Sequence, residues 1–420
     1  MTSEIKKRID QIRRGEVPEG YHPERAWVIP NSWKLQNGNK LFSFIRNGFV
    51  GTITPYYVST GICYLQGTNI KNGRIISDDV FYVTEAFHKA HPNSQLCSGD
   101  VVVVQSGAVG ECAVVNKEFD GGNCHALIIM TPQETTDPIW FANVLNSPLR
   151  RNILAGIITG NTIHHILASD MKKISVPTPP YNEQQRIAEI LTAQDKIIEL
   201  KENRLAEKQR QKKYLMQQLL TGKKQLLGFA EKWKSEKLGE LFTERIETKC
   251  AHFELLSITG TQGVIPRREL EQKDSSSEDK SKYLRICVGD IGYNTMRMWQ
   301  GVSAYSNYEG IVSPAYTILK PQEYINAKFF AYLFKVPEVV FLFYRFSQGL
   351  VDDTRNLKYD NFKKISIIYP ESIEEQNAIV TILETADREI ELLQKDIDQE
   401  KQKKKALMQL LLTGIVRVNV

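Results

Sequence analysis

The stretch QGTNIKNGR, residues 66 to 74, gathers Gln66, Thr68, Asn69, Lys71, Asn72 and Arg74 into one glycine-bearing turn. Side-chain amides can meet the edge of adenine with two hydrogen bonds, and a guanidinium can do the same with guanine. A polar loop facing water has the same composition, so both readings stand at this point. A second group comprises Thr261, Gln262, Arg267 and Arg268 in TQGVIPRR, with Arg297, Trp299 and Gln300 in NTMRMWQG. There a basic and an aromatic residue alternate beside a glycine, although a tryptophan is equally at home in a core. Both groups are candidate contacts to phosphates and base edges.

Other chemistry is poorly supported. No GxxxxGK[ST] loop occurs, so ATP binding is not expected. ERIETK (244 to 249) contains an ExK spacing, which any charged segment produces easily. His88 and His91 lie near Cys97, and Cys124-His125 follow, but no second compact pair completes a zinc site, so no metal is expected. His164-His165 fit a surface position or a phosphate contact equally well. TPPY (178 to 181) resembles the [DNS]PP[YFW] motif with which amino-methyltransferases hold adenine. Thr178 stands where that motif needs an Asp or Asn acceptor, and no FxGxG follows a strand. The start of a helix accounts for both prolines.

The elements that must carry these residues can be read from the whole chain. Its 420 residues exceed one ordinary core, so two or three domains are expected. Composition, 42% hydrophobic and 25% charged, is that of a globular protein. A net charge of +5 permits nucleic-acid binding without requiring it, because a local patch matters more than the total. No apolar run reaches the ~18 residues of a membrane span, and the charged N-terminal stretch does not read as a signal peptide. Six scattered cysteines without a CxxC pair are expected to be reduced thiols of a cytoplasmic protein.

The strongest signal is an internal repeat. EQQRIAEILTAQDKIIELKENRLAEKQRQKKYLMQQLLTG from Glu183 faces EQNAIVTILETADREIELLQKDIDQEKQKKKALMQLLLTG from Glu375. Roughly 18 of about 40 positions are identical. Leu191, Ile198, Leu205, Lys212 and Leu219 recur every seven residues, as do Leu383, Ile390, Ile397, Lys404 and Leu411. That is the seam of a coiled coil, apolar at its ends and polar in its middle. Asn182 and Ser372 are expected N-caps, and Gly222 and Gly414 expected C-terminal caps. Each helix would run ~60 Å at 1.5 Å per residue, a length suited to a spacer. Lys212, Lys213, Lys404 and Lys405 are taken as exposed and, being doubled, as candidates for docking two identical partners; solubility alone explains them as well.

Before each helix lies a strand-rich segment whose edges also repeat. WKLQNGNKLF (33 to 42) matches WKSEKLGELF (233 to 242), SGDVVVV (98 to 104) matches VGDIGYN (288 to 294), and FANVLNS (141 to 147) matches FAYLFKV (330 to 336). The interiors do not align. A doubled frame with different interiors implies pseudo-twofold symmetry and two different targets.

PPYNEQQRIAEIL (179 to 191), EEQNAIVTIL (374 to 383), the twin LMQxLLTG endings, and RRGEVPEGY (13 to 21) followed by IPNSW (29 to 33) together resemble the specificity (S) subunit of type I restriction–modification systems. The resemblance implies an α+β fold: two strand-rich target recognition domains and two long helices, the family's conserved regions, pairing as an antiparallel coiled coil in a pseudo-twofold repeat. The expected divisions are an N-terminal helix and lead-in over 1–26, recognition domain 1 over 27–178, the central helix over 179–226, recognition domain 2 over 227–369 and the C-terminal helix over 370–420. It further implies a non-catalytic DNA-binding subunit of a bacterial defence system that reads the two halves of a gapped, asymmetric site. Helix length would set the gap. Two methyltransferase (M) and two restriction (R) subunits would be its partners. The chain itself would hold no cofactor; S-adenosylmethionine, ATP and magnesium would sit on those partners. The competing reading is a coiled-coil assembly protein whose two β-rich domains bind protein or glycan.

Overall fold

The computed structural model describes residues 3–158, 165–260, 262–270 and 279–418. The chain divides into two compact units, Met1–Lys201 with Asp396–Val420, and Glu202–Lys395. Each holds one strand-rich domain and a portion of both long helices. No helix among the described residues is long and apolar enough to cross a membrane.

In the first unit a four-stranded antiparallel sheet runs in the order Cys112–Val114, Val101–Val104, Leu127–Pro132, Phe42–Asn47. The run VVVV is buried throughout because the sheet is covered on both faces. Side chains alternate across a strand. Val101, Val103, Ile128 and Met130 therefore join a core with Trp140, Phe141 and Leu191. Val102, Val104, Leu127 and Ile129 join another with Leu65 and Phe119. A second sheet, ordered Asn123–Cys124, Ile62–Leu65, Phe81–Val83, Tyr57–Val58, lies beyond. Lys34–Asn37 pairs with Ser175–Thr178 and leads the chain into the central helix.

The second unit repeats the frame. Its sheet runs Ser303–Tyr305, Ile291–Asn294, Tyr316–Pro321, Phe242–Glu244, the same order of corresponding strands. Lys234–Lys237 pairs with Ser366–Tyr369, as its counterpart does. The doubled Gly-Asp turn has one structure. Gly99 and Gly289 share a φ of 95°, a left-handed conformation that favours glycine. The buried Asp100 and Asp290 accept the amides of Cys97 and Cys287 at 3.0 and 2.7 Å. Each also pairs with an arginine from the first strand or just past it, Arg46 at 3.5 Å and Arg245 at 2.8 Å.

The long helices are Tyr181–Leu219 (39 residues) and Ile373–Leu412 (40 residues). Ser372 caps the second, its hydroxyl accepting the Glu375 amide at 3.2 Å. Asn182 does not cap the first. That helix already begins at Tyr181, and the Pro180 carbonyl accepts the amides of Glu183 and Gln184. The extra residue before Glu375 makes room for the serine cap that the first copy lacks. Gly222 and Gly414 do close the helices, with φ of 69° and 71°. Each lies against a tryptophan: an added Cβ would come within 3.2 Å of Trp233 at Gly222 and 3.3 Å of Trp33 at Gly414.

Within each unit the helix segments run antiparallel. In the first, Asp195 meets Lys404 at 2.7 Å, and Lys201 meets Asp396 and Glu400 at 2.8 Å. In the second, Lys208 meets Glu389 at 2.7 Å, and Lys212 pairs with Asp387. Leu191, Ile198, Ile397 and Leu411 are buried in the first unit, Leu219 and Leu383 in the second, while Leu205 and Ile390 are half-buried. The polar middle of the seam is thus a ladder of cross-helix ion pairs. This corrects the expectation for Lys212 and Lys404. Both occupy the seam, as the seven-residue spacing demands, and spend their charge on the facing helix; only Lys213 and Lys405 are exposed.

Candidate nucleic-acid interface

The Glu-Gln pair at each helix start fixes helix to domain. Gln184 and Gln376 are buried and accept the amides of Asp137 and Asn326 at 2.9 and 2.8 Å, the residues that cap the next helix of the domain. Both amides donate back to the proline carbonyl before the helix, Pro179 at 3.0 Å and Pro370 at 2.9 Å. Glu183 accepts from the Trp33 indole at 3.0 Å and from Arg417 at 2.6 and 2.7 Å. Glu375 accepts from the Trp233 indole and from Gln225, each at 3.4 Å. Arg417 and Gln225 follow Gly414 and Gly222 by three residues, so the tail of each helix closes on the glutamate that starts the other.

On this frame the first group of candidates separates. Thr68 and Lys71 are exposed. Gln66 donates to the Tyr57 hydroxyl at 2.8 Å. Asn69 is buried: its carbonyl accepts the Gln66 amide at 2.8 Å, and its amide reaches the carbonyls of Ile76 and Asp78. These bonds hold the turn from within. Asn72 and Gly73, at φ of 53° and 79°, form the two-residue turn of a hairpin between Ile70–Lys71 and Arg74–Ile75. That tip faces the central helix. Arg74 donates to the Asp195 carbonyl at 3.3 Å and lies 3.8 Å from Glu199. The hairpin thus braces against the helix, with the Arg74 donors turned to the Asp195 carbonyl and the Glu199 carboxylate, while Asn72 is exposed at its tip.

In the second unit Arg297 and Gln300 are exposed, and Arg297 makes no ion pair among the described residues. Trp299 is half-buried rather than a core residue; its indole donates to the Met296 carbonyl at 3.0 Å. These residues occupy the turn between the inner strand Ile291–Asn294 and the edge strand Ser303–Tyr305, closed by Gly301 at φ 77°. Beside it lies an aromatic group that the sequence reading passed over. Trp299 meets Tyr344 edge-on at 6.3 Å, Arg355 stacks 4.0 Å above the Tyr344 ring, and Phe341 is exposed in parallel with Tyr344. The signal was available: PEVVFLFYRF carries more aromatic residues than one buried face can use, and only Val339 and Phe343 in it are buried. Gln262 is exposed, Arg267 is half-buried, and Arg268 pairs with Glu254 at 2.7 Å; Thr261 lies outside the described residues.

The residues set aside have structural roles. Thr178 is buried and donates to the Val176 carbonyl at 2.8 Å, ending a strand. Glu247 of the ExK stretch is held by Arg245 and Arg285, whose hydrogen bonds keep its carboxyl below the usual range. His88 bonds Asn123 at 2.5 Å, and His91 lies against Phe49 and Phe87. His125 contacts the Tyr64 hydroxyl at 3.1 Å, and burial lowers its pKa. His164 lies outside the described residues.

A frame written twice, with unlike polar and aromatic side chains on its turns, is the architecture of a protein that meets two different targets. A model of the type I restriction modification DNA specificity domain matches the chain twice, over residues 36–209 and 230–401, and the chain belongs to that family. It is 23% identical to a putative type I restriction enzyme MjaX specificity subunit of Methanocaldococcus jannaschii over 435 residues, 95% of this chain and 97% of that one. Its fold is similar to that of the S subunit of a type I restriction-modification system from M. genitalium, with TM-score 0.55, 16% identity and coverage of 95% and 98%. A chain solved in work on complex assembly and conformational transition of the type I R-M system matches at TM-score 0.57 and 17% identity, covering 94% and 100%. Its class is thus sequence-specific DNA binding within a restriction system.

Proposed function

We propose that each unit reads one half of a gapped, asymmetric DNA site and that the helix pair scaffolds two methyltransferase and two restriction subunits. The observation that carries this is the doubled frame with unlike turns. Identical hydrogen bonds at Gln184 and Gln376, and at Asp100 and Asp290, give two equivalent platforms. Unequal turns give each platform its own target. In the second unit Arg297, Trp299 and Gln300 contact the DNA, with Tyr344 and Arg355 beside them; in the first, Thr68, Lys71 and Gln66 remain. Gln262, Arg267 and Arg268 border the second platform. Double-stranded DNA is the ligand. The chain supplies no catalytic group; S-adenosylmethionine, ATP and magnesium belong to the partners. Coexpression with the neighbouring methyltransferase, followed by mapping of methylated adenines across a genome, tests the reading. A gapped motif with unlike halves is expected, and a contiguous or symmetric motif overturns it.

A further inference from the structure

Each unit encloses a cleft between its recognition domain and its helix segments, and the two clefts are built from matching positions. The first measures about 410 Å³ and is lined by Val114, Ala142, Asn146, Asp195 and Lys404 among others. The second measures about 460 Å³ and is lined by Tyr305, Ala331, Lys335, Lys212 and Glu384 among others. Strand register fixes the correspondence. Cys112 lies opposite Val103, as Ser303 lies opposite Tyr293. Asn146 donates to the Cys112 carbonyl at 2.8 Å, and Lys335 donates to the Ser303 carbonyl at 2.6 Å. Lys335 therefore stands where the first unit has a neutral amide.

What fills the clefts differs. In the first, the hairpin turn rests on Asn146, so that a Cβ on Gly73 would lie 3.1 Å from its amide, and Arg74 reaches the Asp195 carbonyl and the Glu199 carboxylate. In the second, the half-buried Lys335 ammonium donates to the carbonyls of Gly301 and Ser303 and meets no carboxylate among the described residues. The acids nearby are already neutralised. Glu384 pairs with Lys328 at 2.6 Å, and Asp387 holds Lys212 and accepts from the Tyr332 hydroxyl at 2.6 Å. Among the described residues three cations face two anions, and the unmatched charge is that of the half-buried Lys335. Burial lowers the Lys335 pKa to about 8. Two neutral carbonyls do not compensate a cation removed from water.

We propose that the second-unit cleft binds a tetrahedral oxyanion, a phosphate or sulfate group, on the Lys335 ammonium with Lys328 and Lys212 at its rim. The first cleft, walled by its own hairpin, with Asn146 in place of the lysine and Asp195 and Glu199 in its lining, binds none. The phosphate comes either from free solution or from a DNA backbone, and competition separates the two.

Sulfate, whose charge is constant near neutral pH, is titrated calorimetrically into the full chain at fixed ionic strength. One saturable site is expected. Lys335→Asn is expected to weaken it at least tenfold while keeping the bond to Ser303, since asparagine makes that bond in the first unit. Lys328→Gln weakens it less, and Arg74→Ala leaves it unchanged. Displacement of sulfate by duplex DNA assigns the site to a backbone phosphate; independent binding of both assigns it to a free oxyanion. Absence of a saturable site, or equal affinity in Lys335→Asn and Lys328→Gln, overturns the proposal. Neither result bears on the methylation motif.

Discussion

In the first unit the turn between the edge strand and its inner neighbour is built from Gly107, Ala108 and Gly110; in the second the same turn carries Arg297, Trp299 and Gln300. The strands on either side pair in the same register. The Asp-Arg bridge below, the Gln staple and the glycine closure are the same in both. Divergence is therefore permitted where no frame hydrogen bond depends on the side chain, and the difference shows which positions are free to choose a target. The closures are also unequal in charge: Arg417 neutralises Glu183, whereas among the described residues Glu375 meets the amide of Gln225 and an indole and no cation.

That inequality gives the largest expected effect on stability. Glu183→Gln removes the buried half of an ion pair whose arginine is 39% exposed, and should cost about 1–2 kcal/mol of stability in urea unfolding. Glu375→Gln replaces a buried carboxylate that lacks a cation, and should lie within about 0.5 kcal/mol of the parent, because nothing charged is left unpaired. Equal losses would break the claim that the two closures differ in kind. Next comes the reading turn. Arg297→Ala should weaken duplex binding by about 1–3 kcal/mol and relax one position of one half-site, while Lys71→Ala should weaken binding evenly and reduce the salt slope by about one. An unchanged methylation motif in Arg297→Ala removes that residue from base reading.

The seam supplies a smaller, pH-dependent effect. Hydrogen bonds from Lys201 and then Gln194 lower the Glu400 carboxyl to about 2. A depressed carboxylate contributes stability that is complete above its unfolded pKa and lost as pH falls through the folded one. The difference between the parent and Glu400→Gln should therefore be constant near neutrality and shrink from about pH 4.5 towards 2. A difference that persists at pH 2 would show that Glu400 acts through packing rather than charge.

Much of this was legible because it is local and doubled. The seven-residue spacing placed Leu191, Ile198, Leu383 and Ile397 in the interface, and the glycines after each LMQxLLTG closed the helices as written. The same spacing also placed Lys212 and Lys404 inward, and the general preference of lysine for solvent wrongly outweighed it. The asparagine-glycine turn at 72–73 announced a hairpin, but no local rule states which face its tip meets. The Trp33–Glu183 bond joins residues 150 positions apart, so neither end predicts it. Tyr344 and Arg355 were missed for the opposite reason: they stack on one another within one short stretch, yet their value depends on Trp299, brought alongside only by the fold.

The smallest predicted effect is the sharpest test of how the two units differ. Arg74 was the natural guanine reader of the first unit by residue type. Its guanidinium is 43% exposed and its contact with Glu199 is 3.8 Å, so the pair should contribute no more than about 0.5 kcal/mol. Arg74→Ala should accordingly leave unfolding almost unchanged. If the hairpin is a strut, DNA affinity and the methylation motif should stay the same as well, in contrast to Arg297→Ala. A tenfold fall in affinity with a relaxed half-site would mean that the hairpin leaves the helix to read DNA. The first unit would then present a mobile reader at the wall of its cleft, and its difference from the second would be one of motion rather than of side chains.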